Sequence, residues 1–317
     1  MAEEKDFKDY RQMTDAELVA DRIIKWEKMY EEYAAEGIHP IRLWEDGDFK
    51  VPHKKGFVPQ MLLYPAHEGT PRGIVLVCAG GAFKFKSSNE AKPVAEFFYK
   101  NGLNAAVLDY CTDAERPMDD DGNQTQMAAA EDALRAIRLI RYHAKEWNIN
   151  PDKIAIGGFS AGGMTSSRAA TMFDYGNPDA EDPVERVSSR PDAALLIYSA
   201  FTTFSMGAGG GTDSYSFEKQ NAAAQRRGVN VGLRFDCPPF FIMQTANDDP
   251  RGSMYLGIEL ANRGIPFEVH TFESGPHGGA LYDGQDEDTP YYPHTAMWAP
   301  IAADWLKMHG FGEVHYQ

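Results

Sequence analysis

Residues 153–163 read Lys153-Ile154-Ala155-Ile156-Gly157-Gly158-Phe159-Ser160-Ala161-Gly162-Gly163. A short apolar run leads into a serine flanked by glycines, and a run of small residues follows. Gly158-Phe159-Ser160-Ala161-Gly162 fits G-x-S-x-G, the pattern of a nucleophile elbow. A serine on a sharp strand-to-helix turn has a crowded backbone, so the residues two before and two after it must be nearly side-chain-free. Its hydroxyl then stands clear of the sheet beside helix-start N–H groups, which favour developing negative charge. The flanks agree with this reading. Asn150-Pro151-Asp152 supplies a turn before the strand, and residues 161–172 supply a small-residue helix.

Outward from this stretch, apolar runs of strand length alternate with helix-length amphipathic runs. Strands are expected at 41–51, 57–65, 73–79, 104–110, 153–159, 193–200, 239–245 and 266–273. Helices are expected at 90–100, 126–147, 161–172, 253–263 and 295–308. The alternation predicts an α/β fold, with a mostly parallel eight-stranded sheet covered by helices on both faces. The first two strands form an antiparallel hairpin at its edge. Ahead of them, Thr14-Asp15-Ala16-Glu17 is a capping box opening a helix that carries Leu18, Ile23, Ile24, Trp26, Met29, Tyr30 and Tyr33 and stops at Gly37. The chain thus divides into an N-terminal helical extension, 1–40, and a main domain, 41–317. Two segments interrupt the alternation. Residues 113–122 contain Asp119-Asp120-Asp121-Gly122, without the spaced ligands of an EF-hand, and read as a solvated acidic loop. Residues 201–236 fall between two core strands, where a cap over a pocket would be inserted.

Composition bounds the function. A net charge of −16 on 317 residues argues against nucleic-acid or anionic-membrane partners, which require clustered Lys and Arg. Cys78, Cys111 and Cys237 lie in or beside apolar runs and read as buried thiols, not as a disulfide framework or a zinc site. Residues 1–11 are acidic and lack an apolar signal region, and no apolar run approaches the roughly 20 residues of a membrane span. A cytoplasmic protein is the expectation, with the oligomeric state left open.

A nucleophilic serine needs a base, an orienting acid and an oxyanion hole. In a G-x-S-x-G fold the acid comes later in the chain and the histidine last. Open α/β sheets bind ligands at the carboxyl ends of their strands. The strand 239–245 runs into Ala246-Asn247-Asp248-Asp249-Pro250, which makes Asp248 the expected acid and Asp249 its alternative. After the final strand, Glu273-Ser274-Gly275-Pro276-His277-Gly278-Gly279 places His277 in a tight loop. His270, within the strand, and His294, beyond it, are weaker candidates. Cys78-Ala79-Gly80-Gly81-Ala82-Phe83 ends the third strand, and the N–H groups of Gly81, Ala82 and Ala161 are the expected oxyanion donors. Phe83, Tyr282 and Trp298 are expected to stack on a substrate ring, with Tyr291 and Tyr292 nearby.

These motifs, in this order, resemble the α/β-hydrolase superfamily. The nearer likeness is to bacterial acetyl xylan esterases and feruloyl/acetyl esterases, whose oxyanion loop reads C-P-G-G-G-Y and whose histidine sits in G-P-H-G. The likeness covers about residues 72–310 and includes Glu146-Trp147-Asn148-Ile149-Asn150-Pro151 and Pro238-Pro239-Phe240. Ala79 stands here for the loop proline and Ala82 for the third glycine. The resemblance implies hydrolysis of acyl groups, often acetyl, from plant-polysaccharide fragments, with no cofactor or metal. The expected partner is a small-molecule ester or an acetylated oligosaccharide. A general short-chain carboxylesterase, a feruloyl esterase, a serine peptidase and an inactive binding protein on the same scaffold are the rival readings.

Overall fold

A computed structural model describes residues 13–45, 57–113, 123–199 and 233–313. Its eight strands are β1 (Pro40–Arg42), β2 (Gln60–Leu63), β3 (Arg72–Cys78), β4 (Asn104–Asp109), β5 (Ile149–Phe159), β6 (Ala193–Ile197), β7 (Phe240–Thr245) and β8 (Phe267–Phe272). They form one sheet in the order β1-β2-β4-β3-β5-β6-β7-β8. β2 runs antiparallel to β1 and β4, and all the other neighbours are parallel. The helices are α1 (Asp15–Ala35), α2 (Lys92–Lys100), α3 (Asn123–His143), α4 (Ser160–Met172), α5 (Arg251–Asn262) and α6 (Trp298–Met308).

Parallel strands covered on both faces are apolar throughout, and successive side chains feed opposite cores. Along β3, Ile74, Leu76 and Cys78 enter the core beneath α3, α4 and α5. Val75 and Val77 enter the other core, with α1, α2 and α6. The N-terminal helix is therefore no appendage. Trp26, Met29 and Tyr33 of α1 are buried in this second core. Its capping box is formed: the Glu17 N–H donates to Thr14 Oγ1 at 3.3 Å and the Thr14 N–H to Glu17 Oε2 at 2.9 Å. Arg22 Nη1 and Lys25 Nζ each lie 2.7 Å from Asp288 Oδ2, which fastens α1 to the loop after β8.

Element bounds differ from the sequence expectations where local geometry intervenes. The turn assigned to Asn150-Pro151-Asp152 lies inside β5, beside a register irregularity against Arg72 and Ile74. Asn148, at φ 52°, makes the turn instead, a conformation that asparagine tolerates better than most residues. The helix expected from residue 90 opens as a 3₁₀ turn, Ser88–Glu90, and α2 starts only at Lys92, because Ala91 leaves helical geometry (φ −111°, ψ −93°). A 3₁₀ turn, Thr295–Met297, likewise precedes α6. The acidic run 119–121 and all of the expected cap except residues 233–236 lie outside the described residues. The three cysteines are buried, and no disulfide joins them. Among the described residues, no helix is long and apolar enough to cross a membrane.

Candidate active site

Ser160 sits where β5 ends and α4 begins, with φ 49°, in the left-handed region. Such a conformation costs a non-glycine residue on the order of 1–3 kcal/mol. The glycines around it are required by contact. A Cβ on Gly158 would come 2.1 Å from the Gly162 carbonyl oxygen, and a Cβ on Gly162 would come 2.1 Å from that of Cys78. The elbow is thus wedged against the end of β3, and the serine hydroxyl is turned toward the carboxyl edge of the sheet.

His277 meets it there from the loop after β8. Its Nε2 lies 2.8 Å from Ser160 Oγ, and its Nδ1 lies 2.5 Å from Asp248 Oδ2. The loop that carries it is pinned to the loop after β7. The Gly275 N–H donates to Asn247 Oδ1 at 3.0 Å, and Thr245 Oγ1 donates to the Gly275 carbonyl at 2.8 Å. Asp249 turns away at φ 40°, and its carboxylate takes Arg251 Nε at 2.6 Å and Nη2 at 2.5 Å. Of the two neighbouring aspartates, Asp248 is the one in contact with the imidazole. His270 is elsewhere, stacked on Phe241 and bonded to Glu268, and His294 lies against Phe272.

Burial disfavours the charged form of His277, but the hydrogen bond that it donates to Asp248, the charge of that carboxylate and that of Glu90 outweigh this and raise the imidazole pKa above its ordinary 6.5. Because 46% of the side chain is still exposed, water screens part of this effect.

The glycine loop after β3 closes over the serine. A Cβ on Gly80 would come within 2.9 Å of Ser160 Cβ. Gly81, Ala82 and Phe83 all have positive φ, at 135°, 53° and 60°. The Gly80 N–H is taken by Glu90 Oε2 at 2.6 Å. The N–H of Ala161, in the first turn of α4, has no intrahelical acceptor. Gly80 thus approaches the serine from the end of β3, with Gly81 and Ala82 next in the same loop, while Ala161 follows Ser160 directly in α4.

The aromatic expectations need correction. Tyr282 and Trp298 are fully buried and Phe83 is nearly so. Trp298 Nε1 donates to the Ala280 carbonyl at 3.0 Å, and Tyr282 Oη donates to the Pro276 carbonyl at 2.8 Å. Both rings prop the histidine loop from beneath, and a ring with no exposed face cannot stack on a sugar. Tyr291 is exposed and Tyr292 is partly buried.

Two residues that the sequence did not single out lie under the site. Glu90 is buried; its Oε1 accepts from Tyr198 Oη at 2.8 Å while Oε2 holds Gly80. Burial pushes its carboxyl above the usual range, against the pull of those two hydrogen bonds and of the nearby His277 and Arg22 charges. Tyr198, at φ 33°, accepts the Ala280 N–H at 2.8 Å and sets its ring edge-on to His277, with centroids 5.1 Å apart. Neither position carries a sequence signal, because Glu90 closes the short 3₁₀ turn before α2, Tyr198 follows the end of β6, and both act through a fold-level encounter.

Sheet order, elbow and the serine–histidine–aspartate contact define an α/β-hydrolase fold, and the chain resembles the serine esterases of that fold. Residues 61–193 match the family model BD-FAE. The chain is 30% identical to endo-1,4-beta-xylanase B of Butyrivibrio fibrisolvens over 85% of its own length and 44% of that protein's. It is 32% identical to an acetylxylan esterase of Xylanibacter ruminicola over 44% of its own length and 25% of that protein's. The chain thus spans less than half of either relative. Among solved structures, an acetyl ester-xyloside bifunctional hydrolase from Caldicellulosiruptor lactoaceticus superposes with a TM-score of 0.71 at 28% identity, covering 86% of this chain and 97% of that one.

Proposed function

We propose that the chain is a carboxylic ester hydrolase working through an acyl-enzyme on Ser160, and that its substrates are short acyl esters, foremost acetyl groups on xylo-oligosaccharides. The observation that carries the chemistry is the continuous line from Asp248 through His277 to Ser160 Oγ, with contacts of 2.5 Å and 2.8 Å. The Ser160 oxygen attacks the ester carbonyl as His277 Nε2 takes its proton. The carbonyl π pair moves onto oxygen, and the N–H groups of Ala161, Gly81 and Ala82 bind that oxyanion. Collapse breaks the bond to the alcohol, which leaves with the proton from the imidazolium. Water then repeats the sequence on the acyl-serine, releasing the acid and restoring Ser160. Asp248 holds the imidazole in the tautomer with Nδ1–H and stabilises the imidazolium between the two half-reactions.

The acetyl-xylan part of the proposal draws on the names of the relatives. Acetate release from a panel of acetylated xylo-oligosaccharides, run beside aryl acetate and aryl butyrate, tests it. Release from the oligosaccharides, with acetate preferred to butyrate, is expected. Cleavage of the aryl esters alone would leave a general short-chain carboxylesterase and remove the sugar.

The two aspartates separate cleanly. Asp248→Asn leaves Nδ1 without its carboxylate and is expected to lower kcat by about 10⁴-fold. Asp249→Asn disturbs an exposed contact with Arg251 and is expected to leave kcat within about tenfold. The pH profile carries a second reading. The base must be neutral to accept the serine proton, so kcat/KM rises with pH through the His277 pKa. Since that pKa is raised, the acid limb is expected to lie above 6.5 and to move down in Asp248→Asn. Steady-state kinetics across pH checks both.

A further inference from the structure

Beneath the reacting atoms, one buried carboxylate touches both halves of the site. Glu90 belongs to the 3₁₀ turn before α2, far from Ser160, His277 and Asp248 in the chain. Its two oxygens accept from two different active-site elements. Oε2 takes the N–H of Gly80, the residue immediately before the proposed oxyanion donors Gly81 and Ala82. Oε1 takes the hydroxyl of Tyr198, whose oxygen accepts the Ala280 N–H three residues past His277 and whose ring abuts the imidazole. The Tyr198 oxygen accepts from Ala280, and its proton is directed at Glu90 Oε1. Both carboxyl oxygens therefore face donors, the pattern of a carboxylate and not of an amide.

We propose that Glu90 is a positioning residue for the ester hydrolysis described above. Its carboxylate locks the oxyanion loop to the histidine loop through Tyr198, so that donors and imidazole are held in one register about the Ser160 hydroxyl. The inference rests on the serine-esterase reading of the site. The groups facing Glu90 are Arg22 on α1, Tyr198 just past β6, and His277 and Tyr282 on the loop after β8. Those facing His277 are Asp248, Glu90 and the Tyr198 ring. Arg22 is itself paired with Asp288, so the N-terminal helix reaches this network without contacting the reacting atoms.

Kinetics with an aryl acetate across pH on the full chain test the proposal. In Glu90→Gln, the amide NH2 faces either the Gly80 N–H, donor against donor, or the Tyr198 oxygen, whose proton must then leave that contact. The expected result is a loss in kcat of about 30- to 100-fold with KM within about threefold, since the donors are displaced rather than removed. The acid limb is expected to move to lower pH, because a negative charge that favours the imidazolium has gone. Tyr198→Phe keeps that charge, so its limb stays in place, and kcat falls by about tenfold. The double variant relieves the clash and is no worse than Glu90→Gln. A Glu90→Gln enzyme with kcat within about threefold of the parent, or one whose loss comes with an unmoved limb, overturns the proposal. Circular dichroism establishes that each variant is folded. Should Glu90→Gln not fold, Tyr198→Phe decides alone, and kcat within about twofold of the parent overturns the proposal. A parent enzyme with no aryl esterase activity would instead defeat the underlying esterase reading, whatever the variants do.

Discussion

Ser160→Ala lowers kcat on an aryl acetate by about 10⁶-fold, to the residue left by the oxyanion donors and binding alone. The size of the loss follows from the division of labour. Without the hydroxyl there is no acyl-enzyme, and His277 has no proton to take from it at 2.8 Å. Loss of the proposed nucleophile removes the benefit of the other two side chains as well, so His277→Ala added to Ser160→Ala is expected to cost little more. A companion variant separates chemistry from folding. Ser160→Gly is equally inactive, yet it relieves a φ of 49° and is expected to gain on the order of 1 kcal/mol in stability. Steady-state kinetics with thermal melts check the pair. An alanine variant that keeps a tenth of the parental rate would remove Ser160 from the reaction.

Gly162→Ala is the largest expected effect on the fold. The new methyl would sit 2.1 Å from the Cys78 carbonyl oxygen and 2.5 Å from that of Ala79, both backbone atoms at the end of a buried central strand. Neither can move without opening the pairing of Cys78 with Gly158. The cost is expected on the order of 4 kcal/mol or more, a large part of the 5–15 kcal/mol typical of a whole domain. Gly158→Ala meets the Gly162 carbonyl oxygen at the same distance and should behave alike. Gly264 is the control. A Cβ there has nothing within 4 Å, although φ is +65°, so Gly264→Ala pays only for its backbone conformation. Urea unfolding monitored by circular dichroism ranks the three. If Gly162→Ala unfolds within about 1 kcal/mol of the parent, the elbow is looser than its contacts imply.

The contrast between these glycines shows what a sequence can disclose about the site. Gly158 and Gly162 were legible because steric exclusion acts over five consecutive residues and leaves a local pattern. His277 and Asp248 were legible because strand alternation fixes which loops gather at the carboxyl edge, and each lies directly after such a strand. Asp249 could not be told from Asp248 in the sequence. The distinction depends on one left-handed residue and on the nearby Arg251. Tyr282 and Trp298 misled for a different reason. An aromatic in an active-site loop reads the same whether it faces the cleft or the core, and here both face the core. Glu90 and Tyr198 left no trace, since their partners are backbone N–H groups and hydroxyls that only the assembled sheet brings within reach. The helix bounds slipped where Ala91 and the turn Thr295–Met297 leave α-helical geometry, a choice made by packing and not by propensity.

The central claim is that the Ser160 hydroxyl, activated by His277, becomes covalently acylated. Treating the chain with an organophosphate and locating the adduct by peptide mass spectrometry tests this most directly. The account predicts one adduct, on Ser160, forming in step with loss of esterase activity and slowed by about 10³-fold or more in His277→Ala. Complete inactivation with Ser160 unmodified, or equal labelling in the absence of His277, would contradict it.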